Sequence, residues 1–336
     1  MLDIYINSSE GHVDLFGEHV ENVERIKLVE SELVSSPTYS SLIRRSPTKS
    51  DELAIKLLDE SHGPEYKQYL TKPEEVYCLS CQEDYDTTQF LTCRFCNSPD
   101  QVWYLDNDTY ITNKTRGFLV ENIHILMESI DRLKEKIVKY SYILIRPPGH
   151  HCFNKGTGFC PTNNVYMMAT YAKQQGFRKI FVFDYDAHAG NGSSSLVEDD
   201  PQIFFISMHA YSDTYRIYPG TGSRKDNRSN IINIPLIHRI PQDKEKYTDD
   251  ICTKLFTSIV LKEINNFNPD LIIISNGLDA HKDDPLAGLN LTVEYYNNVC
   301  RALKALDIPL AYVLEGGYNP TVIKDVSLSL IDILLE

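Results

Sequence analysis

Lys179-Ile180-Phe181-Val182-Phe183-Asp184-Tyr185-Asp186-Ala187-His188-Ala189-Gly190-Asn191-Gly192 is the stretch that decides the fold class. Its apolar half, Ile180 to Phe183, runs through β-forming residues without alternation, the pattern of a parallel strand buried on both faces. Charge then arrives abruptly. Asp184, Asp186 and His188 stand at i, i+2 and i+4, so an extended chain points all three to one side. Two carboxylates and an imidazole at the carboxyl end of a buried strand are costly as structure, because buried charge needs a partner. They are natural as a site, because open α/β sheets collect their chemistry there. The stretch predicts a metal centre; the plainer alternative is a polar loop after a strand.

Similar runs flank it. Buried strands are expected at Tyr142 to Ile145, Ile180 to Phe183, Ile203 to Ser207, Ile231 to Ile234, Leu271 to Ser275 and Leu310 to Leu314. Helix-length segments lie between most of them, at Asn164 to Gln175, Asp243 to Phe267 and Val293 to Leu306. This alternation is the signature of βαβ units and a mostly parallel sheet. Upstream, Thr115 to Lys139 repeats Phe118, Ile123, Leu126, Ile130, Leu133 and Ile137 at roughly helical spacing, as a core helix does. The first 75 residues offer a short strand, Ile4 to Ile6, and helical stretches around Val23 to Leu33 and Glu52 to Leu58.

Length and composition set the outer bounds. The 336 residues, 42% of them apolar, can bury a sizeable core. Lys plus Arg number 33 against 47 Asp plus Glu, a formal net charge of -14, which argues against a general nucleic-acid surface and suits a basic ligand. No apolar run approaches the roughly 20 residues of a membrane-spanning helix. The N-terminus, Met1-Leu2-Asp3-Ile4-Tyr5, has no basic region followed by an apolar one, so a soluble protein of cytoplasm or nucleus is expected. Eight cysteines in such a chain are no secreted disulfide framework. Four of them form Cys78-Leu79-Ser80-Cys81 and Cys93-Arg94-Phe95-Cys96, two C-x2-C pairs that can grip one tetrahedral zinc from tight turns. A closed four-thiolate site leaves no position for substrate, so a structural role is expected of it. The alternative is a set of free thiols in a surface insertion.

The residues that follow the strands bring function into view. After Ile145 comes Arg146-Pro147-Pro148-Gly149-His150-His151; after Phe205 comes Ser207-Met208-His209; Ser275 leads into Asn276-Gly277-Leu278-Asp279-Ala280-His281-Lys282-Asp283-Asp284-Pro285; Leu314 leads into Glu315-Gly316-Gly317-Tyr318. Together with Asp184, Asp186 and His188, five strand ends deliver His, Asp and Tyr to one expected rim.

These segments, with Gly158-Phe159-Cys160, Asn163-Asn164 and Tyr218-Pro219-Gly220-Thr221-Gly222, resemble the zinc-dependent histone deacetylase family in its class II and bacterial branch. They occur in the family's order across at least residues 140 to 320, and His19-Val20-Glu21-Asn22-Val23-Glu24-Arg25 is similar to the family's segment near its own start. The resemblance implies the arginase-deacetylase fold, one α/β domain over residues 1–336 with a central, mostly parallel sheet of about eight strands. The two cysteine pairs would form a four-cysteine zinc-knuckle insertion in it at about 76–100.

It also implies roles. Asp186, His188 and Asp279 would hold a catalytic zinc with open coordination. His151 would be the general base, His150 its electrostatic companion, and Tyr318 the donor to the developing oxyanion. Asp184 matches the carboxylate orienting the first histidine, and Asn191 stands where class I members carry the partner of the second. Gly158, Phe159 and Tyr218 would wall a narrow tunnel, with Leu286 at its mouth; Tyr218 departs from the usual Phe. Potassium would bind near Asp184 and Ser207. The implied substrate is an acetylated protein or peptide, histone tails among them, with release of acetate. Acetylpolyamines are the alternative, and Leu286 in place of an acidic gatekeeper speaks against them. An arginase-like two-manganese cluster would need carboxylates where this chain has Gly190 and His281. A non-catalytic acetyl-lysine reader would be expected to have lost Tyr318 or a ligand, and all are present.

Overall fold

The fold is that of a computed structural model, which describes residues 1–13, 18–44, 49–63, 66, 70, 75–81, 83–86, 92–286 and 288–336. In chain order the strands are β1 (Leu2–Asn7), β2 (Ile43–Arg44), β3 (Glu75–Cys78), β4 (Asp84–Asp86), β5 (Gln101–Tyr104), β6 (Tyr110–Thr112), β7 (Tyr140–Ile145), β8 (Ile180–Asp184), β9 (Ile203–Tyr211), β10 (Ile231–Ile237), β11 (Leu271–Asn276) and β12 (Leu310–Leu314). Eight of these form one sheet in the order β10-β9-β8-β11-β12-β7-β1-β2. Every neighbouring pair in it is parallel. Parallel strands need crossover helices on their faces, and each residue of β7, β8, β11 and β12 is buried, as the unbroken apolar runs require.

Two hydrophobic cores sandwich the sheet. One face carries helices Glu24–Ser35, Val293–Lys304 and Pro320–Leu335; the other carries Asp51–His62, Thr115–Lys134 and Asn164–Gln174. Asparagines start two of these helices: Asn163 accepts a hydrogen bond from Tyr166 N, and Asn319 from Thr321 N and Val322 N. Among the described residues no helix is long and apolar enough to cross a membrane.

The order of the sheet places the site. From β8 the chain moves to β9 and β10 on one side, while from β11 it moves to β12 on the other. β8 and β11 are neighbours, with Ser275 opposite Asp184, so the crevice beyond their carboxyl ends is a topological switch point.

Several expectations change in detail. β9 and β10 run past Ser207 and Ile234 to Tyr211 and Ile237, so Met208 and His209 lie within a strand instead of after one. The helix expected from Thr115 to Lys139 ends at Lys134, where Lys136 takes a positive φ. The helix expected over Asp243 to Phe267 is broken. A 3-10 turn (Pro241–Lys246) gives way at Tyr247 to helix Asp249–Leu255, a π turn (Phe256–Val260) and helix Leu261–Phe267. The Asp249 carboxylate at the break accepts from Thr292 N at 2.8 Å and Thr292 Oγ1 at 2.5 Å, tying this layer to the start of the next helix. Unanticipated from the sequence is a second, antiparallel sheet, β4-β3-β5-β6, around the two cysteine pairs. Its strands have three or four residues, too short to show a period.

Candidate active site

The stretch after β8 turns sharply, and its backbone is held by the same carboxylates that build the site. Asp184 Oδ1 accepts from Asp186 N at 3.0 Å, Asp186 Oδ1 accepts from His188 N at 2.8 Å, and Asp186 Oδ2 accepts from Gly316 N at 2.8 Å. Across the switch point Asp279 Oδ1 accepts from Ala187 N at 2.8 Å. These bonds fix the carboxylates, and Asp186 Oδ1 and Asp279 Oδ2 face the His188 ring. Its Nδ1 lies 2.8 Å from Asp279 Oδ2 and 3.2 Å from Asp186 Oδ1. One donor atom from each of the three falls within 4.8 Å of the others. Gly316 is required here, because a Cβ on it would lie 2.4 Å from Asp186 Oδ2 and 2.6 Å from Asp279 Oδ2.

The electrostatics fit a cation. Asp186 and Asp279 are both 0% exposed. Burial first, and the Asp186 carboxylate next, push Asp279 up to about 7. Against the cost of burial, hydrogen bonds to Asp186 and Asp279 push His188 up to about 10. Two buried carboxylates therefore demand a positive charge between them. A divalent ion held by two oxygens and one nitrogen, with coordination left open, supplies it without a proton.

Beside this triad stand two histidines with centroids 4.0 Å apart. His150 Nδ1 bonds Asp184 Oδ2 at 2.9 Å, and His151 Nδ1 bonds Asn191 Oδ1 at 2.7 Å. Burial opposes a charge on His150, but Asp186 and Asp184 raise its pKa well above the ordinary value. Burial, then His150 and His188, lower that of His151 well below it. The pair is thus split into one charged and one neutral imidazole, the division that leaves His151 free to accept a proton.

Tyr318 follows β12 and is clamped at its backbone: Tyr318 N donates to Asp284 Oδ2 at 2.6 Å and Asn319 N to the same oxygen at 3.1 Å. The Arg25 guanidinium lies 4.7 Å from the centre of the Tyr318 ring. Arg25 Nε donates to Gly317 O at 2.6 Å, and Nη2 donates to Glu315 O. Behind it, Glu21 accepts from Arg25 Nη1 at 2.9 Å and from Arg146 Nη2 at 2.7 Å, all three side chains buried. Burial raises the Tyr318 phenol well above its usual pKa, so it stays a proton donor.

A cavity of about 240 Å³ leads down to these groups, lined by Asp108, His151, Gly158, Phe159, His188, Tyr218, Leu286 and Tyr318. Tyr218 meets His151 edge to face at 4.8 Å, and Phe159 meets Tyr318 likewise at 5.7 Å. Gly158 sits at φ 58, and a Cβ there would come within 2.5 Å of Tyr218 Oη and 2.7 Å of His151 Cδ2. The hydroxyl of the half-buried Tyr218 bonds Thr157 Oγ1 at 3.1 Å, which fixes its direction at the tunnel wall.

The structure therefore brings together Asp186, His188, Asp279, His150, His151, Tyr318, Asp184, Asn191, Gly158, Phe159, Tyr218 and Leu286 at one place. Ser207 lies opposite Asp184 in the β8–β9 register, with its hydroxyl 2.7 Å from His209 Nδ1. Sequence reasoning gave no role to Asp108, Asp284 or the Arg25–Glu21–Arg146 cluster. Glu21, Arg25, Arg146 and Asp284 lay inside quoted motifs, and Asp108 lies in the Asp106-Asn107-Asp108-Thr109 turn, but nothing in their spacing marks them.

The four cysteines meet away from this tunnel. Cys78 Sγ and Cys96 Sγ are 3.5 Å apart, Cys81 Sγ and Cys93 Sγ 3.4 Å, and all four lie within 4.8 Å. Sulfurs on one tetrahedral zinc, each about 2.3 Å from it, stand about 3.8 Å apart, whereas a disulfide needs about 2.05 Å. None of the four is in a disulfide. Desolvation raises Cys93, but N–H groups of Phe95 and Cys96 aimed at its sulfur outweigh it and bring the thiol down to about 7.

Comparison with known proteins agrees with this geometry. A family model described as the histone deacetylase domain matches residues 19–334. An uncharacterized protein of Synechocystis is 34% identical over 227 residues, covering 66% of this chain and 71% of that protein. Histone deacetylase 14, chloroplastic, of Arabidopsis thaliana is 37% identical over 191 residues, 53% of this chain and 42% of its own length, so the chain spans less than half of that relative. In fold, the crystal structure of the HDA15 HD domain superposes with a TM-score of 0.83 at 24% identity, covering 99% of this chain and 90% of that one.

Proposed function

The chain belongs to the histone deacetylase family, whose members support a hydrolase activity, and from that premise we propose that it hydrolyses the side-chain amide of acetyl-lysine in proteins or peptides, releasing acetate. The observation that carries this reading is the cavity of about 240 Å³ lined at once by His188, His151 and Tyr318 and walled by Phe159 and Tyr218. A channel of that lining admits a slender apolar chain with an amide at its tip.

Asp186, His188 and Asp279 would hold zinc, which when bound supplies a Lewis acid for the amide carbonyl and lowers the pKa of water toward about 7. His151, kept neutral, accepts the water proton at Nε2 while Asn191 fixes its Nδ1, and returns a proton to the leaving amine. His150 stays charged against Asp184 and stabilises negative charge nearby. Tyr318 donates its hydroxyl proton in a hydrogen bond to the amide oxygen as charge develops there. Phe159 and Tyr218 exclude water along the acyl-lysine chain. Zinc in the Cys78, Cys81, Cys93 and Cys96 site, potassium near Asp184 and Ser207, and one deacetylase domain across 1–336 complete the proposal. Acetylated histone tails are among the substrates this site would take.

Asp108 favours a second reading. It gives the tunnel an acidic residue that Leu286 does not, and a carboxylate there would suit the cationic amines of an acetylpolyamine. Acetate release from an acetyl-lysine peptide and from acetylspermidine, with Asp108→Asn, His151→Ala and Tyr318→Phe variants, separates the two. The lysine reading expects the peptide to be preferred by the wild type. Preference for acetylspermidine, lost in Asp108→Asn, would replace it; full activity in His151→Ala and Tyr318→Phe would remove both.

A further inference from the structure

The four-cysteine site and the tunnel are joined by one element. Cys78 ends β3 and lies opposite Gln101 of β5, and Leu79 N donates to Asp100 O at 3.1 Å. β5 then runs on toward the tunnel and turns back as β6, closed by Leu105 N to Thr109 O at 2.7 Å. From Gln101 to Tyr104 the strand spans about 10 Å, and the turn follows at Leu105 and Asp106.

The turn at the far end is bound into the tunnel wall. Asp106 folds it, accepting from Asp108 N at 2.9 Å and Thr109 N at 2.6 Å through Oδ1. Its Oδ2 accepts from Thr157 Oγ1 at 2.7 Å and Gly158 N at 3.3 Å, and Thr109 Oγ1 accepts from Phe159 N at 3.0 Å. Thr157 Oγ1, its proton committed to Asp106, accepts from Tyr218 Oη at 3.1 Å. Both aromatic walls therefore hang from the β5–β6 turn, which also delivers Asp108 to the cavity.

At the other end the cysteines join short strands that rest on the core through Val76, Trp103 and Ile111. Cys78 and Cys93 are buried, but β3 has four residues and β4 three, and Phe95 beside the cluster is 56% exposed. Within this four-stranded sheet β3 meets β5 at two residue pairs, Tyr77 with Val102 and Cys78 with Gln101, a short join that a metal tie would strengthen.

We propose that zinc held by Cys78, Cys81, Cys93 and Cys96 is a positioning device for the substrate tunnel: it clamps β3 to β5, and the β5–β6 turn passes that constraint through Asp106 and Thr109 to Gly158, Phe159 and Tyr218. Its loss loosens the tunnel walls and Asp108 while leaving Asp186, His188, Asp279, His151 and Tyr318 in place. The site therefore governs KM more than kcat. In its kinetic arm the proposal rests on the deacetylase reading above.

The test uses the full chain with Cys96→Ser, whose side chain is at the surface, and Thr157→Val, which removes the side-chain link from Asp106 through Thr157 to Tyr218 and leaves the thiols intact. Zinc content, hydrogen exchange in peptides covering 105–110 and 156–160, and acetate release from an acetyl-lysine peptide are measured for each. Cys96→Ser is expected to keep one zinc where the wild type has two, to exchange faster in both peptides, and to raise KM about fivefold or more, the worth of about one hydrogen bond, with kcat within about twofold. Thr157→Val is expected to keep both ions and show the same rise in KM. Zinc loss in Cys96→Ser with exchange and KM unchanged overturns the proposal, as does an unaltered KM in Thr157→Val. A wild type that releases acetate from no amide would instead remove the deacetylase reading, and the exchange data alone would then decide whether the four-cysteine site controls the turn.

Discussion

At the tunnel floor three donors of two kinds, Asp186, His188 and Asp279, converge from loops behind β8 and β11, the two buried neighbours where the sheet's winding reverses. In the small sheet four donors of one kind converge from short strands and turns near the surface. The first set leaves coordination open and stands on an eight-stranded sheet packed between two hydrophobic cores. The second is closed, and the metal would be much of its scaffold. Donor number and the independence of the surrounding fold thus separate an ion that reacts from one that ties.

His188→Ala is the sharpest way to break that contrast. It should abolish acetate release and lower zinc from two ions per chain to one, by elemental analysis, while the sheet persists, by circular dichroism. Collapse of the fold would show that the tunnel floor is structural after all. Next in size is Glu21→Gln, which leaves Arg146 and Arg25 buried without their carboxylate; breaking such a cluster costs about 3–5 kcal/mol of stability, readable by denaturant unfolding. Against the cost of burial, Arg146 and then Arg25 hold the Glu21 carboxyl well below its ordinary value of 4.5. The unfolded chain therefore binds more protons below that pH, so this stabilisation is present above pH 4.5 and lost as pH falls. The acid slope of the unfolding free energy should flatten in Glu21→Gln; an unchanged slope would remove Glu21 as its source.

Tyr318→Phe removes a hydrogen-bond donor and nothing else, and should raise the barrier by on the order of 3 kcal/mol, roughly a hundredfold in kcat, with both zinc ions retained. A fall in zinc content would mean that the tyrosine acts through the metal site instead. The smallest effect on turnover is expected from Cys81→Ser. It should lose one zinc and keep kcat within about twofold, and a large loss of kcat would merge the two sites into one.

How much of this the sequence disclosed follows the same division. Ile180 to Phe183 and Leu310 to Leu314 announced themselves because strands buried on both faces must be apolar throughout, and the loops behind them carried residue types with no cheaper use. Tertiary ties were silent. Arg25 reaches the Tyr318 loop across 292 residues, and Asp284 grips Tyr318 N because of where two loops meet, not because of any local pattern. The small sheet stayed hidden because its strands, three or four residues long, give an alternation no room to repeat, although its cysteines were plain. The break at Tyr247 was missed because the apolar spacing continues on both sides of it. Asp108 shows the cost of such silence: its neighbours spell a turn, and only the fold carries that turn to the tunnel.

The most direct test is a zinc titration of metal-stripped protein while acetate release from an acetyl-lysine peptide is followed. Turnover absent at the start and restored in full by no more than two equivalents of zinc is the expected result. Full turnover before any zinc is added, or none after both sites are filled in folded protein, contradicts a catalytic ion held by Asp186, His188 and Asp279.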